Sequence, residues 1–244
     1  EIGRQAFYEA QYEAIYEIEG FFGELEGESF QTTMDNLWVA LQELGKEPDN
    51  IVARSSFVET AVNFIERAEN IAKKLKDYQI NLNTKIKDQV DRINQIGDEL
   101  KQLNIKIRQY ESNGERANDL RDQSNNLLDE LSQMVSINYK ESNNSMVYVS
   151  IEGVTFVDED NVYYMGTVKV NESTDMLKPV WLNHGNVDVF NFDRAVSSDN
   201  NTDIGSLKGL LLARGYKQAN YTDIPVRENY ETEALDEKAV LEYN

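Results

Sequence analysis

The sequence predicts an α+β fold that is mainly α: an elongated antiparallel helical bundle with a small antiparallel β region. Up to about residue 135, glycine and proline are scarce and apolar residues recur at steps of three and four, the period of amphipathic helices. Beyond that point, β-branched and aromatic residues alternate with turn-forming residues. We therefore expect a helical rod over residues 1–135, a small β-rich region over 136–204, and a helix and tail over 205–244 that return to the rod.

The first two helices are predicted from apolar stripes and end signals. The first covers about residues 4–19, and its tyrosines could form a binding surface, although packing on a longer helix is favoured. Its stripe consists of Tyr8, Tyr12, Ile15 and Ile18, with Tyr16 beside them. A second helix starts after the N-cap Ser29 and stops at Gly45. Its predicted buried face consists of Phe30, Met34, Leu37, Trp38, Leu41 and Leu44.

The third predicted helix runs from about Ile51 to Tyr110, after a turn at Pro48 and a cap at Asp49 or Asn50. It contains no proline and a single glycine, and its apolar residues recur at intervals of three or four. At 1.5 Å per residue such a helix is roughly 90 Å long, and its apolar stripe needs partner helices. A tight reversal at residues 112–114 leads into a fourth helix over about 115–134, which predicts an antiparallel helical hairpin.

Short strands are predicted at residues 146–151, 154–157 and 162–165, with a further one at 187–190. Residues 197–204 form a polar loop in this prediction. A helix then resumes near Ser206 and ends at Gly215. The acidic tail is predicted to be extended at first and helical from Thr232 to Tyr243.

Composition excludes several classes of function. The chain has 44 acidic and 24 basic residues, a net charge of −20, which disfavours nucleic acid and anionic membranes as partners. The absence of cysteine excludes disulfides, thiol catalysis and cysteine metal ligands. No signal peptide or membrane-spanning apolar run is present in the sequence. Because the chain starts at Glu1 without a methionine, we expect the natural protein to be longer.

The sequence contains few candidates for catalytic residues. His184 is the only histidine and lies in a turn-like sequence, which leaves no His-pair metal motif and no convincing triad. The acidic run of residues 158–160 is interpreted as a turn.

Asp199, Asn201 and Asp203 alternate as in a calcium loop. The glycine of an EF-hand would come one place earlier than Gly205, and its glutamate would stand at Leu210, so a surface loop is favoured. We therefore predict no catalytic, cofactor-binding or metal-binding residue, and no enzyme.

Three stretches of the sequence form a recognisable series. The first comprises residues 33–44, then Glu47-Pro48-Asp49 and Ala53-Arg54. The second runs over residues 118–123 and 127–135, and the third is the Gly-x-Leu-x-Gly-x-Leu pattern that begins at Gly205. In this order and spacing, the three stretches resemble the flagellar hook-associated protein 1 family, which forms the junction between hook and filament.

This resemblance implies a structural protein without cofactor or catalytic residues, secreted through the flagellar channel and assembled outside the cell. The implied partners are the hook protein, the second hook-associated junction protein and neighbouring copies. The family's N-terminal segment and long C-terminal helix are absent from the sequence, so we expect this piece to be soluble and monomeric. A different coiled-coil adaptor or surface adhesin, and an enzyme with an acidic site in the β region, are the alternatives.

Overall fold

A computed structural model describes residues 1–23, 29–112, 114–142, 145–172 and 174–215, so the predicted helix from Thr232 to Tyr243 lies outside the described residues. The helices in this part of the chain are α1 (Ile2–Phe22), α2 (Phe30–Lys46), α3 (Ile51–Glu111), α4 (Asn118–Met134) and α5 (Ser206–Arg214). The strands are β1 (Ile137–Glu141), β2 (Val147–Ile151), β3 (Val154–Val157), β4 (Met165–Lys169), β5 (Leu177–Trp181) and β6 (Val187–Asp188). The predicted fold class is confirmed.

Side-chain caps and one glycine define the helix ends. The Ser29 hydroxyl accepts a hydrogen bond from the Thr32 N–H at 3.1 Å, and Asn50 Oδ1 accepts one from the Val52 N–H at 2.9 Å. These bonds satisfy N–H groups that have no partner within the helix. Gly23 ends α1 in the left-handed conformation, with φ at 75°.

The long helix α3 has 61 residues and two unlike halves. Its first buried residue is Ile71, and up to that point it packs against α2. From Leu82 onward it contributes to one hydrophobic core that includes residues of α1, α4, α5 and both sheets. The division of the chain at residues 135 and 204 stays a prediction.

Each of the two sheets is antiparallel and three-stranded, in the orders β1-β2-β3 and β4-β5-β6. Strands β1 and β5 were not predicted, and the strand expected at 162–165 begins only at Met165. β5 contains Pro179, which normally argues against a strand. The Val189 N–H donates to the Pro179 carbonyl at 3.1 Å, but proline has no N–H to return a bond, and β6 ends just before, at Asp188.

Three asparagines of α3 join the helix to the strand backbones. Each side-chain amide donates through Nδ2 to a carbonyl and accepts through Oδ1 from an N–H. Asn104 pairs in this way with both backbone groups of Val147, at 2.8 and 2.9 Å. Asn94 makes the same pair with Met165, at 2.8 and 2.9 Å.

Asn83 makes the third pair at the start of β5, donating to the Asp175 carbonyl and accepting from the Leu177 N–H, each at 2.8 Å. Together the asparagines place β2, β4 and β5 at fixed heights along α3. The amide groups also satisfy backbone groups that face the helix rather than another strand.

Charge pairs hold α4 and β1 to α3. The Arg92 guanidinium donates two bonds of 2.7 Å to Glu130. Arg121 donates bonds of 2.6 and 2.8 Å to Glu111 and one of 2.8 Å to Glu141. The bonds from Arg121 hold the pKa of Glu111 well below its usual range.

Glycines allow close approach between the packed elements. A Cβ at Gly209 of α5 would lie 2.6 Å from the Phe7 carbonyl oxygen of α1. A Cβ at Gly97 of α3 would lie 2.6 Å from Cζ of Phe156. The single glycine of the long helix therefore makes room for the aromatic ring of β3.

The Asn104→Asp variant tests the amide pairing. At pH 7 its buried carboxylate would face the Val147 carbonyl, and we expect the free energy of unfolding to fall by about 3 kcal/mol. Burial raises the pKa of such a carboxyl in the folded state, so the deficit relative to wild type should shrink as pH falls through that pKa, when the protonated group can donate again.

Urea unfolding of variant and wild type at neutral and mildly acidic pH measures this deficit. Asn70 is exposed on the same helix, and Asn70→Asp should change the free energy of unfolding by no more than about 0.5 kcal/mol at either pH. A deficit for Asn104→Asp that does not vary with pH would contradict the assignment.

The Gly209→Ala variant tests the contact between α1 and α5. Because the new methyl group would meet backbone rather than a movable side chain, we expect a loss of about 2 kcal/mol in thermal or urea unfolding. Gly20 of α1 is the matched control, since a methyl group added there would have nothing within 4 Å of it. Gly20→Ala should be stabilising by up to about 1 kcal/mol, and equal effects of the two changes would refute the close contact.

Candidate functional site

The residues that resembled a calcium loop are used for packing. The Asp203 side chain is fully buried, and Arg4 Nε lies 3.0 Å from its Oδ2. Tyr8 and Ser198 donate hydroxyl hydrogen bonds of 3.0 and 2.9 Å to the same oxygen. Burial acts to raise the pKa of Asp203, but these hydrogen bonds and Arg4 outweigh it and lower the pKa.

Asn201 also turns to Arg4, accepting a bond of 2.8 Å from its Nη2, whereas Asp199 is exposed. Asn201 and Asp203 therefore contact a guanidinium group rather than a metal ion, and Asp199 faces solvent. Within the described ranges, no group of three or more His, Cys, Asp or Glu side chains could hold a metal.

The acidic run at residues 158–160 forms the turn that the sequence suggested. Asp158 Oδ1 accepts bonds from the N–H groups of Asp160 and Asn161 at 2.9 and 2.8 Å. Its Oδ2 accepts a bond of 2.9 Å from the Tyr163 hydroxyl. Burial acts to raise the pKa of Asp158, yet the hydrogen bonds lower it overall.

His184 closes a short 3₁₀ turn after β5. Its imidazole stacks on the Tyr163 ring, with centroids 6.1 Å apart, and meets the Trp181 ring edge-on at 6.5 Å. These aromatic contacts are typical of packing and do not resemble a nucleophile–base pair.

The most distinctive surface lies on the hairpin of α2 and α3, where the predicted buried face of α2 proves partly wrong. Met34, Trp38 and Leu41 are exposed, with Trp38 at 60%. On α3, Val58, Val62 and Ile65 are exposed as well, each at 46% or more. We call these six side chains the hairpin face.

Helix geometry makes the hairpin face continuous. Each of its members directly follows a residue that is at least half buried; for example, Leu37 precedes Trp38, and Ala61 precedes Val62. One residue turns a helix by about 100°. The four-residue connection makes α2 and α3 antiparallel. In antiparallel helices, a rotation of about 100° from the row of contact residues leads to the same side of the pair. The exposed apolar residues of α2 and those of α3 therefore lie side by side on one face of the hairpin.

The stripe expected to pack α1 on the long helix is also exposed. Its buried residues are instead Gly3, Phe7, Ala10 and Ala14. These small residues, with one phenylalanine, allow α5 to approach closely. Tyr12 and Tyr16 consequently point outward: Tyr12 is 69% exposed and its ring stacks on Tyr16 with centroids 6.2 Å apart, whereas the Tyr8 hydroxyl donates to Asp203.

The sequence did contain a signal for the hairpin face. The apolar residues of α2 cover more of its circumference than one partner helix can bury, because they include both the contact row and the row beside it. Acidic side chains outnumber basic ones on this hairpin. The acids are Asp35, Glu43, Glu47, Asp49, Glu59, Glu66 and Glu69, and the bases are Lys46, Arg54 and Arg67.

Within the described ranges, no helix is long and apolar enough to cross a membrane. Among solved structures, the flagellar hook junction protein FlgK from Burkholderia pseudomallei is similar, with a TM-score of 0.71 over 87% of this chain and 38% of that one. At 19% identity, this likeness shows the fold alone.

Sequence comparison identifies the family. Flagellar hook-associated protein 1 of Bacillus subtilis (strain 168) is 28% identical over 222 residues, which is 88% of this chain and 44% of that protein. The chain thus spans less than half the length of this curated relative. A family model described as the flagellar hook-associated protein FlgK helical domain matches residues 15–232. Because that match covers most of the chain and confirms the resemblance of the three stretches, this chain belongs to the FlgK helical domain family.

Proposed function

We propose that this chain is the helical core of a hook–filament junction protein, a structural component of the bacterial flagellum that acts by subunit assembly without catalysis. Membership of the FlgK helical domain family supports the flagellar role. The observation that carries the assembly role is the hairpin face, an apolar surface of α2 and the first part of α3 that stays open to solvent among the described residues. The adaptor, adhesin and enzyme alternatives have no comparable observation in their favour.

The hairpin face fits an amphipathic helix. Two antiparallel helices bury only the rows that face each other, and the adjacent rows need a further helix to be removed from water. Exposed apolar patches of this kind mark interaction surfaces. We propose that the occupant is a helix from the part of the junction protein that the curated relative has beyond the matched segment, because more than half of that relative lies outside it.

The remaining partners follow from the proposed role. We propose that the assembled protein contacts the hook protein, the second hook-associated junction protein and neighbouring copies of itself. The location would be extracellular, after secretion. A net charge of −20 is compatible with secretion into water, because it keeps the chain soluble and opposes unspecific self-association.

Absence of catalysis is supported by the surroundings of the candidate groups. Asp203 is neutralised by Arg4, and Asp199 points to solvent. His184 contacts aromatic rings. None of these arrangements activates a nucleophile or positions a general base.

A double change on the hairpin face, Trp38→Gln with Val62→Gln, tests the assembly role in the full-length protein. Because both side chains are exposed, we expect the melting temperature of the 244-residue chain to stay nearly unchanged. Motility on soft agar should be lost, and electron microscopy should show hooks without attached filaments.

The matched control is Ile80→Gln, which removes an exposed apolar side chain of α3 outside the hairpin face. This variant should swim normally. Normal motility of the double variant would argue against the hairpin face as an assembly surface.

His184→Ala and Asp199→Ala test the absence of catalysis. Both side chains are exposed and neither is required by the proposed assembly, so we expect normal motility and normal filament attachment. Motility lost in either variant, while thermal unfolding stays as in wild type, would contradict the prediction that neither residue is needed for function.

A further inference from the structure

A cleft of about 440 Å³ lies between the sheet β4-β5-β6 and α5. Most of its lining is apolar and includes two aromatic rings. The apolar members are Val170, Pro179, Val187, Phe190, Phe192 and Leu211. Charged groups are also present: Lys178 and Asp188 form an ion pair of 2.7 Å, Asp193 is exposed, and Arg214 lies at the end of α5.

Arg214 is the unusual member of this lining, because it is buried with only 4% of its surface exposed. Its Nη1 donates to Asn83 Oδ1 at 2.6 Å and to the Leu177 carbonyl at 2.5 Å. Its Nε donates to the Gly215 carbonyl at 3.2 Å. Nη2 is buried and has no acceptor among the residues that the structure describes. Every acceptor is neutral, and no ion pair in the described part of the chain includes Arg214.

A buried guanidinium without a counterion is costly. Two other partly buried arginines, Arg92 and Arg121, are paired with carboxylates. Burial lowers the pKa of Arg214 to about 10, so the group is still protonated at neutral pH. With 44 acidic residues in the sequence, an unpaired buried cation is an exception that calls for a ligand.

We propose that this cleft binds an acidic peptide segment of a partner protein, with a carboxylate on Arg214 Nη2 and a neighbouring apolar side chain against the ring of Phe192, which packs on Phe190 with centroids 6.1 Å apart. A carboxylate supplies the missing acceptor and the missing negative charge in one group. Because Nη2 is shut off from water, the peptide reaches it only when side chains at the mouth move apart. The low dielectric there then strengthens the pair.

The peptide is favoured over a free small anion by the charges at the mouth. The charge of Asp188 is offset by Lys178, but Asp193 adds a negative charge to the lining, and the whole chain repels anions. A segment with its own apolar side chain gains burial in the cleft that offsets this repulsion. The site is separate from the hairpin face, and the inference does not depend on the proposed function.

Two synthetic peptides test the proposal on the intact 244-residue chain: acetyl-Gly-Phe-Glu-Gly-amide and its Gln counterpart, titrated by calorimetry and by NMR. We expect the Glu peptide to bind with a dissociation constant below about 1 mM, and at least about tenfold more tightly than the Gln peptide. This comparison uses the wild-type chain, so it holds even if substitutions at Arg214 impair folding.

Arg214→Gln should abolish the preference for Glu. Arg194→Gln removes the same charge from an exposed position near the cleft and should leave binding unchanged. Equal affinity for the two peptides, no binding of either near 1 mM, or acetate binding as tightly as the Glu peptide would overturn the proposal.

Discussion

The attachment of both sheets to α3 depends on side-chain amides that imitate the backbone. A three-stranded sheet is too small to be stable alone, and each sheet here has α3 as its support. Asn94 and Asn104 present one donor and one acceptor to a strand, as a neighbouring strand would. The helix therefore supplies hydrogen bonds as well as apolar contacts. This explains why a buried polar residue such as Asn104 is tolerated in the core.

The helices could be predicted from the sequence because their signals are local. The predicted span of α3 differs from the observed one by a single residue at its end, and the caps at Ser29 and Asn50 were expected. Strand β1 exposes most of its residues and β5 contains Pro179, so neither shows an alternating apolar pattern. Their strand partners are neighbours in the chain, but the side chains of α3 that hold the sheets, such as Asn83 and Asn104, lie far away in the sequence. The asparagines that hold the strands look like ordinary polar positions of an amphipathic helix.

Periodicity identified the α2 members of the hairpin face but placed Met34, Trp38 and Leu41 in a core. An apolar stripe shows which residues gain from burial. It does not show whether the chain contains the partner helix against which they would be buried. In α1 the error has another cause. Close packing on α5 uses small residues such as Ala10 and Ala14, which a search for large apolar side chains passes over. The contact of Asp203 with Arg4 could not be predicted from the loop sequence, because Arg4 lies far away in the chain.

The unequal halves of α3 give one continuous helix two levels of stability. Beyond Leu82 the helix belongs to the core and should open only when the whole domain unfolds. Between Ile51 and Asn70 no residue of α3 is buried, so this first part of the helix can unfold locally together with α2, and its free energy of opening is much lower than that of the core. A helix that docks on the hairpin would raise the free energy of opening of residues 51–70 towards that of the core. If a helix docks there as proposed, this segment becomes rigid only in the assembly, and loss of the docked helix would first lower the stability of this end of α3.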